Sequence, residues 1–234
     1  REAVDLMERI GVTAFKIPSG EVTNLPLVED MAGRRKPIYL SSGMSSWHEL
    51  DQAMRIIQQA HVPLTIFQCT SEYPCAYEHV GLNVIQELQA RYHTPVGLSD
   101  HTLTNYAAFA AVALGATVIE KHLTFSRQMY GSDAKHSLEP HEFADLVRGV
   151  RAIETMLASP VDKDDVSRFR VMKATFEKSL VTLQHIPAGT ALTPEMLGLK
   201  KPGTGIPAAR LREVIGKRTA RAVAAHTVLT TADI

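Results

Sequence analysis

The chain has 234 residues, 45% of them hydrophobic and 21% charged, with a formal net charge of +0. That is enough length for one or two globular domains with a sizeable core, and a neutral chain has no global field to draw nucleic acid or an anionic membrane surface. No stretch approaches the ~18 consecutive apolar residues of a membrane span, so neither nucleic acid nor membrane is expected as a partner and the default substrate is a small molecule.

Arg1 to Gly11 reads as an amphipathic helix entered in mid-pattern, without initiator Met or cap. The chain is therefore expected to lack an N-terminal part. A strand is predicted over Thr13–Ile17, broken by Pro18-Ser19-Gly20, and a short helix over Leu25–Ala32. Pro37–Leu40 reads as the next strand, ending at Ser41-Ser42-Gly43. Ser46, with Glu49 three residues on, is expected to cap a helix reaching Ala60. Leu64–Cys69 is predicted as a strand, and the spacing of Leu82, Ile85 and Leu88 predicts a helix over Leu82–Tyr92. Pro95–Leu98 and Thr117–Glu120 read as strands flanking an Ala-rich helix, Asn105–Leu114, with Gly115 as its C-cap. Glu139-Pro140 opens a long helix to Met156, with Phe143, Leu146, Val147, Val150 and Ile153 on one face.

Five strand–helix units about 25 residues apart argue a parallel α/β sheet with helices outside it. Two architectures fit: an open doubly wound sheet, or the last five units of a closed (β/α)8 barrel. The mid-helix start favours the second. The first domain is expected to span 1–158. Residues 159–177 read as a linker, opening on the polar run Ser159–Asp165. Residues 178–234 read as a small module of short strands and turns with a thin core, expected to lean on the first domain or on a second subunit. Cys69 and Cys75 make neither CxxC nor a disulfide framework, which fits a reducing, cytoplasmic compartment.

His101 and His122 stand at the ends of two consecutive strands. Such ends lie about 4.8 Å apart, so both imidazoles can reach one ion, and neutral imidazole suits Mn, Fe, Co or Zn. Two protein ligands leave the rest of the shell to water and substrate, as in a catalytic site. Each histidine alone also reads as a packed strand-end residue. Asp100, Glu120 and Asp133 are nearby carboxylates that can orient the imidazoles or hold a substrate; Asp133 lies in a polar loop that also reads as plain solvated surface.

Lys16 lies inside the first strand and Lys121 between Glu120 and His122. Burial of either demands an anion, whether a substrate phosphate or carboxylate, Glu21 or Glu120. Turned outward, either simply snorkels, and a Schiff base is open to both. Ser19, Ser41-Ser42, Thr70-Ser71 and Ser99 follow or end four consecutive strands. One such serine is a helix cap; four with the same chemistry form an anion cradle. Neither GxxxxGK[ST] nor GxGxxG occurs, so a nucleotide fold is not supported.

Together, Phe15-Lys16-Ile17-Pro18-Ser19-Gly20-Glu21, Ser42-Gly43-Met44, Cys69-Thr70-Ser71-Glu72-Tyr73-Pro74, Val96–Thr102 and Glu120-Lys121-His122 resemble the sialic acid synthase family. That family includes N-acetylneuraminate, legionaminate and pseudaminate synthases and related spore-coat polysaccharide enzymes. The segment from Ser179 resembles its C-terminal SAF, or antifreeze-like, domain. The resemblance covers essentially the whole chain. It implies a (β/α)8 TIM barrel entered near its fourth strand, followed by a β-rich SAF domain. It implies condensation of phosphoenolpyruvate with the open-chain aldehyde of an N-acetylmannosamine-type sugar, giving a nine-carbon 2-keto acid and, by C–O cleavage, phosphate.

Carried over residue by residue, the resemblance puts a divalent ion on His101 and His122, manganese first, with magnesium or cobalt as alternatives. Lys16, Ser19, Glu21, Ser42, Ser71 and Ser99 take the phosphoenolpyruvate side and Asp133 the sugar, while Asp100, Glu120 and Lys121 stand behind them. The reaction needs no Schiff base, which removes that option for the lysines. A domain-swapped homodimer is implied, in which the partner's SAF domain reaches the sugar through an arginine of a Lys-Arg-Pro-Gly motif. Here the motif is Lys200-Lys201-Pro202-Gly203, so Lys201 takes that place and lacks the planar fork. The polar groups of the first three barrel strands have no counterpart here, so the chain is expected to be inactive alone. Two other classes stay open: a metal-dependent barrel aldolase or lyase without a phosphate cradle, and a non-catalytic carbohydrate-binding or assembly protein.

Overall fold

The computed structural model describes residues 2–234. The chain divides into two compact units, Arg1–Pro160 and Val161–Ile234. The first alternates α1 (Glu2–Ile10), β1 (Phe15–Ile17), α2 (Leu25–Gly33), β2 (Ile38–Ser41), α3 (Trp47–Gln59), β3 (Leu64–Cys69), α4 (Leu82–Tyr92), β4 (Val96–Asp100), α5 (Tyr106–Ala113), β5 (Val118–Lys121) and α6 (Pro140–Leu157). All five strands are parallel, in the order β1-β2-β3-β4-β5. Ser46 caps α3 in a full capping box with Glu49, which fixes where the chain leaves the loop after β2.

Side chains alternate across the sheet. Phe15, Ile17, Ile38, Leu40, Ile66, Val96 and Leu98 point to the helices and form one core with Val28, Leu50, Ile57, Ile85 and Leu88. The other face carries Lys16, Ser41, Cys69, Ser99 and Glu120, which line a common cleft.

The register decides between the two predicted architectures. Lys16 pairs with Tyr39 and Tyr39 with Thr65. Extended through Ile66↔Val96 and Gly97↔Val118, that line reaches Ala116, about four residues short of Glu120. Yet Lys16 Nζ lies 2.6 Å from Glu120. In a flat sheet, strands four places apart are separated by about 19 Å. The sheet is therefore curled, with a stagger of about one residue per strand, the shear of an eight-stranded barrel. The unit is an open, partial parallel barrel, and the doubly wound alternative is excluded.

The second unit holds α7 (Arg170–Phe176), β6 (Ser179–Thr182), β7 (Leu197–Lys200) and α8 (Leu211–Val214). β6 and β7 pair antiparallel. Leu180, Ile186, Leu192, Ile206, Val214 and Leu229 form its small core. Three of these elements depart from the sequence reading. α7 lies inside the segment read as a linker, and neither β7 nor α8 was expected. A 3-10 turn over Pro194–Met196 leads into β7.

Candidate active site

The carboxyl ends of the five strands open on one cleft of about 390 Å³. Its walls include Lys16, Ser19, Ser71, Ser99, His101, Glu120 and His122, so seven residues picked from sequence converge there. In a parallel barrel this is the end where strand-terminal side chains meet a ligand.

Lys16 Nζ donates to both carboxylate oxygens of Glu120, each at 2.6 Å, and stands 5.0 Å from the centre of the Phe67 ring. Ser99 Oγ donates to Glu120 Oε1 at 2.7 Å. Burial alone would push the Glu120 carboxyl up; the bonds from Lys16 and Ser99 outweigh it and hold the group below the usual carboxylate range. Glu120 is thus an ionised acceptor between a cation and a hydroxyl.

Gly43 explains why the hydroxyls on the opposite side come so close. A Cβ at Gly43 would lie 2.5 Å from both Ser19 Oγ and Ser71 Oγ and 3.0 Å from Cys69 Sγ. The Gly43 N–H donates to Ser19 Oγ at 3.1 Å. Only glycine lets the loop after β2 bring a backbone N–H against two hydroxyls from neighbouring loops, a group of donors suited to an anion.

His101 Nδ1 lies 2.8 Å from the Thr70 carbonyl oxygen. A carbonyl only accepts, so Nδ1 carries the proton and the Nε2 lone pair is free. Burial pushes His101 below the ordinary imidazole value, against the raising effect of the Thr70 bond. The His101 and His122 ring centres are 5.4 Å apart, nearly edge-on, and Tyr73 packs at 4.1 Å from the first and 5.8 Å from the second. Asp133 Oδ2 stands 3.9 Å from His122 Nδ1, on an exposed loop. Among the described residues no three His, Cys, Asp or Glu side chains group closely enough to hold a metal by themselves. Two imidazoles with one free lone pair fit an ion that takes its remaining ligands from water and substrate.

Five other residues picked from sequence stand elsewhere. Glu21 accepts from Asn24 Nδ2 at 2.7 Å and does not line the cleft. Ser42 is buried with its Oγ donating to the Phe67 carbonyl at 2.8 Å, and Ser41 lines the cleft in its stead. Asp100 and Lys121 form an ion pair at 2.7 Å on the helix-facing side of the strands, both side chains 1% exposed. Lys201, in the second unit, is exposed with its Nζ 4.8 Å from the centre of the Phe176 ring. Tyr73, Cys69 and Met44 line the cleft without having been assigned a role. Strand alternation carries the signal for one of them: Cys69 lies on the same face as Phe67, as Ser41 does with Tyr39.

The SAF domain model matches residues 177–234. An N,N'-diacetyllegionaminic acid synthase of Campylobacter jejuni is 38% identical over 92% of this chain and 65% of its own length. Human N-acetylneuraminate-9-phosphate synthase is 38% identical over 92% of this chain and 60% of its length. The chain thus spans less than two thirds of these relatives. Among solved structures, the spore coat polysaccharide biosynthesis protein spsE of Bacillus subtilis superposes with a TM-score of 0.66 at 27% identity, over 100% of this chain and 71% of that one. The N-acetylneuraminic acid synthetase of Leptospira borgpetersenii, solved with citrate, gives 0.67 at 32% identity over 73% of this chain and 60% of that one. The NeuB family model matches residues 1–162, most of the chain, and the chain belongs to the NeuB family.

Proposed function

We propose that the protein condenses phosphoenolpyruvate with the aldehyde of an N-acetylmannosamine-type amino sugar, giving a nine-carbon 2-keto acid and phosphate. One observation carries this reading: a lysine, hydroxyls from several strand ends and two histidines converge on one cleft of the half-barrel. The relatives' names, legionaminic acid and N-acetylneuraminate-9-phosphate synthases, supply the substrate class.

Each group then has a task. Lys16 neutralises the phosphate or carboxylate of phosphoenolpyruvate, and Ser19, Ser71 and the Gly43 N–H donate to its oxygens. Glu120 keeps Lys16 and Ser99 aligned before the substrate arrives. Its carboxylate, on the cleft wall, is the acceptor for a proton from the water that adds at C2. Asp133 holds sugar hydroxyls beside His122. A divalent ion, manganese first, would sit between His101 and His122 and polarise the aldehyde oxygen. The carbon–carbon bond forms from C3 of phosphoenolpyruvate to the aldehyde carbon, water adds at C2, and the C2–O bond to phosphate breaks.

Lys201, carried by the SAF domain of a partner subunit, completes the sugar side in a domain-swapped homodimer. Complementary charge supports that pairing: acidic residues exceed basic ones in residues 1–160, and the reverse holds in residues 161–234. A cytoplasmic location, where phosphoenolpyruvate is made, belongs to the same proposal; no helix among the described residues is long and apolar enough to cross a membrane. The test is a panel of acceptors: N-acetylmannosamine, its 6-phosphate and a diacetamido-dideoxy hexose. Assayed with the full-length protein, since the chain alone is expected to be inactive, mass spectrometry is expected to find a nine-carbon 2-keto acid from one of them. Phosphoenolpyruvate left intact by the full-length protein with all three would sink the proposal.

A further inference from the structure

Lys121 belongs to none of the steps above, yet its ammonium is buried and fully engaged. Its side chain is 1% exposed. Nζ donates to Asp100 Oδ2 at 2.7 Å, to the Thr102 carbonyl at 2.5 Å and to the Thr104 carbonyl at 2.9 Å, with Thr102 Oγ1 farther off at 3.3 Å. An ammonium has three protons, and these three acceptors use them all. A buried lysine needs one counter-ion to offset desolvation, and Asp100 is that. The two carbonyls are additional, and both come from the loop that carries His101.

The same loop is tied at further points. Asp100 Oδ1 accepts from the Thr102 N–H at 2.8 Å. His101 is held from the β3 side by the Thr70 carbonyl at Nδ1 and by the Cys75 N–H on its own carbonyl, at 3.0 Å. Residues 100, 102 and 104 therefore wrap a single ammonium while residue 101 projects away from it into the cleft. That ammonium belongs to the residue next to His122, and alternation along the strand sends the two side chains to opposite faces. One buried group thus connects the backbone that aims His122 to the loop that aims His101.

We infer that Lys121 is a positioning residue, whose ammonium, held by Asp100 and the Thr102 and Thr104 carbonyls, sets the separation of His101 and His122. The inference rests on the proposed use of those histidines as a pair of metal ligands. Loss of the clamp leaves both imidazoles present but frees the loop that carries one of them. Groups that orient metal ligands from behind are commonly worth about 10- to 100-fold in metal affinity. The anion side, built on Lys16, Ser19 and Ser71, does not touch the clamp.

Two variants of the full protein test this, Lys121→Met and the double variant Asp100→Asn with Lys121→Met. The second removes both buried charges and so avoids leaving Asp100 unpaired. Manganese binding is read from the electron paramagnetic resonance signal of free Mn2+, and phosphoenolpyruvate affinity is measured separately by calorimetry. Both variants are expected to bind Mn2+ at least about tenfold more weakly, with phosphoenolpyruvate affinity within about twofold of wild type. Wild-type Mn2+ affinity in either folded variant overturns the inference and leaves the proposed function standing. A wild-type protein that binds no Mn2+ overturns the metal reading itself, and the inference with it. Failure of both variants to fold also counts against it, since the pair would then serve the fold and not the histidine spacing.

Discussion

Lys16 on β1 and Glu120 on β5 meet at 2.6 Å, although four strand intervals separate them in the sheet. Strands four places apart in an eight-stranded barrel face each other across its axis. The pair therefore spans the interior and puts a fixed cation–anion couple on the floor of the cleft. Both groups remain partly exposed, 31% and 42%, so the pair is worth little as a stabilising bridge. Its value lies in holding Lys16 and Ser99 in place.

Glu120→Gln is the direct test of that role. The amide keeps the shape and can still accept from Ser99, but it loses the charge that holds Lys16. The expected loss in kcat/KM is about 100-fold, or ~2.7 kcal/mol of transition-state stabilisation. Thermal unfolding is expected to shift by no more than a few degrees. Steady-state phosphate release together with calorimetric melting checks both parts.

Gly43→Ala tests the hydroxyl cradle. The new methyl would sit 2.5 Å from the Ser19 and Ser71 oxygens. Both are ends of small side chains that can rotate, so the fold should survive with a small drop in stability. The hydroxyls would turn out of the cleft, and KM for phosphoenolpyruvate is expected to rise about tenfold, ~1.4 kcal/mol, with KM for the sugar unchanged.

Lys201→Arg restores a planar fork where the chain carries a point charge. KM for the amino sugar is expected to fall several-fold while KM for phosphoenolpyruvate stays constant. A rise in sugar KM would show that Lys201 does not take the arginine's place.

Asp51 gives a pH signature away from the cleft. Hydrogen bonds from Arg91, and then from Tyr92, hold its carboxyl down to about 2, against an ordinary value of 3.8. A folded value below the unfolded one means that the unfolded chain takes the proton first. The contribution is fully present above pH 3.8 and is lost as the pH falls toward about 2. Urea midpoints measured against pH are expected to decline less steeply through this window in Asp51→Asn than in wild type.

The second unit should be the weaker one to perturb. Leu180 is fully buried in its small core, and Leu180→Ala is expected to cost about 2–5 kcal/mol. Differential scanning calorimetry should show that loss in the transition of residues 161–234.

The strand–helix units of the half-barrel were legible because each strand is a short, largely apolar run followed by polar, Gly or Pro residues, and the helices between them keep apolar residues at helical spacing. β3 and α4 fall at their predicted bounds. β7 was not legible, because Leu197–Lys200 has no alternation of its own and exists by pairing with β6. α7 hid behind the polar run Ser159–Asp165, which drew the whole segment into a linker. Curling of the sheet depends on the stagger between strands, which no single strand carries, so the barrel reading rested on the mid-helix start and on the family resemblance. In the cleft, strand parity separates Ser41 from Ser42: Ile38 and Leu40 belong to the helix-facing core, so Ser42 continues that face and Ser41 the other. The histidines and most serines were visible because they sit where strands end, and Lys16 because a charge inside an apolar strand demands a partner. The Lys121 clamp was not, because its partners are carbonyls that no residue type announces.

The most direct measurement of the proposed chemistry uses phosphoenolpyruvate labelled with 18O at the bridging C–O–P oxygen, incubated with the protein, Mn2+ and the amino-sugar acceptors. Condensation with C–O cleavage releases phosphate that carries the label, and only when an acceptor is present. Unlabelled phosphate, or labelled phosphate released at the same rate without any acceptor, would contradict it.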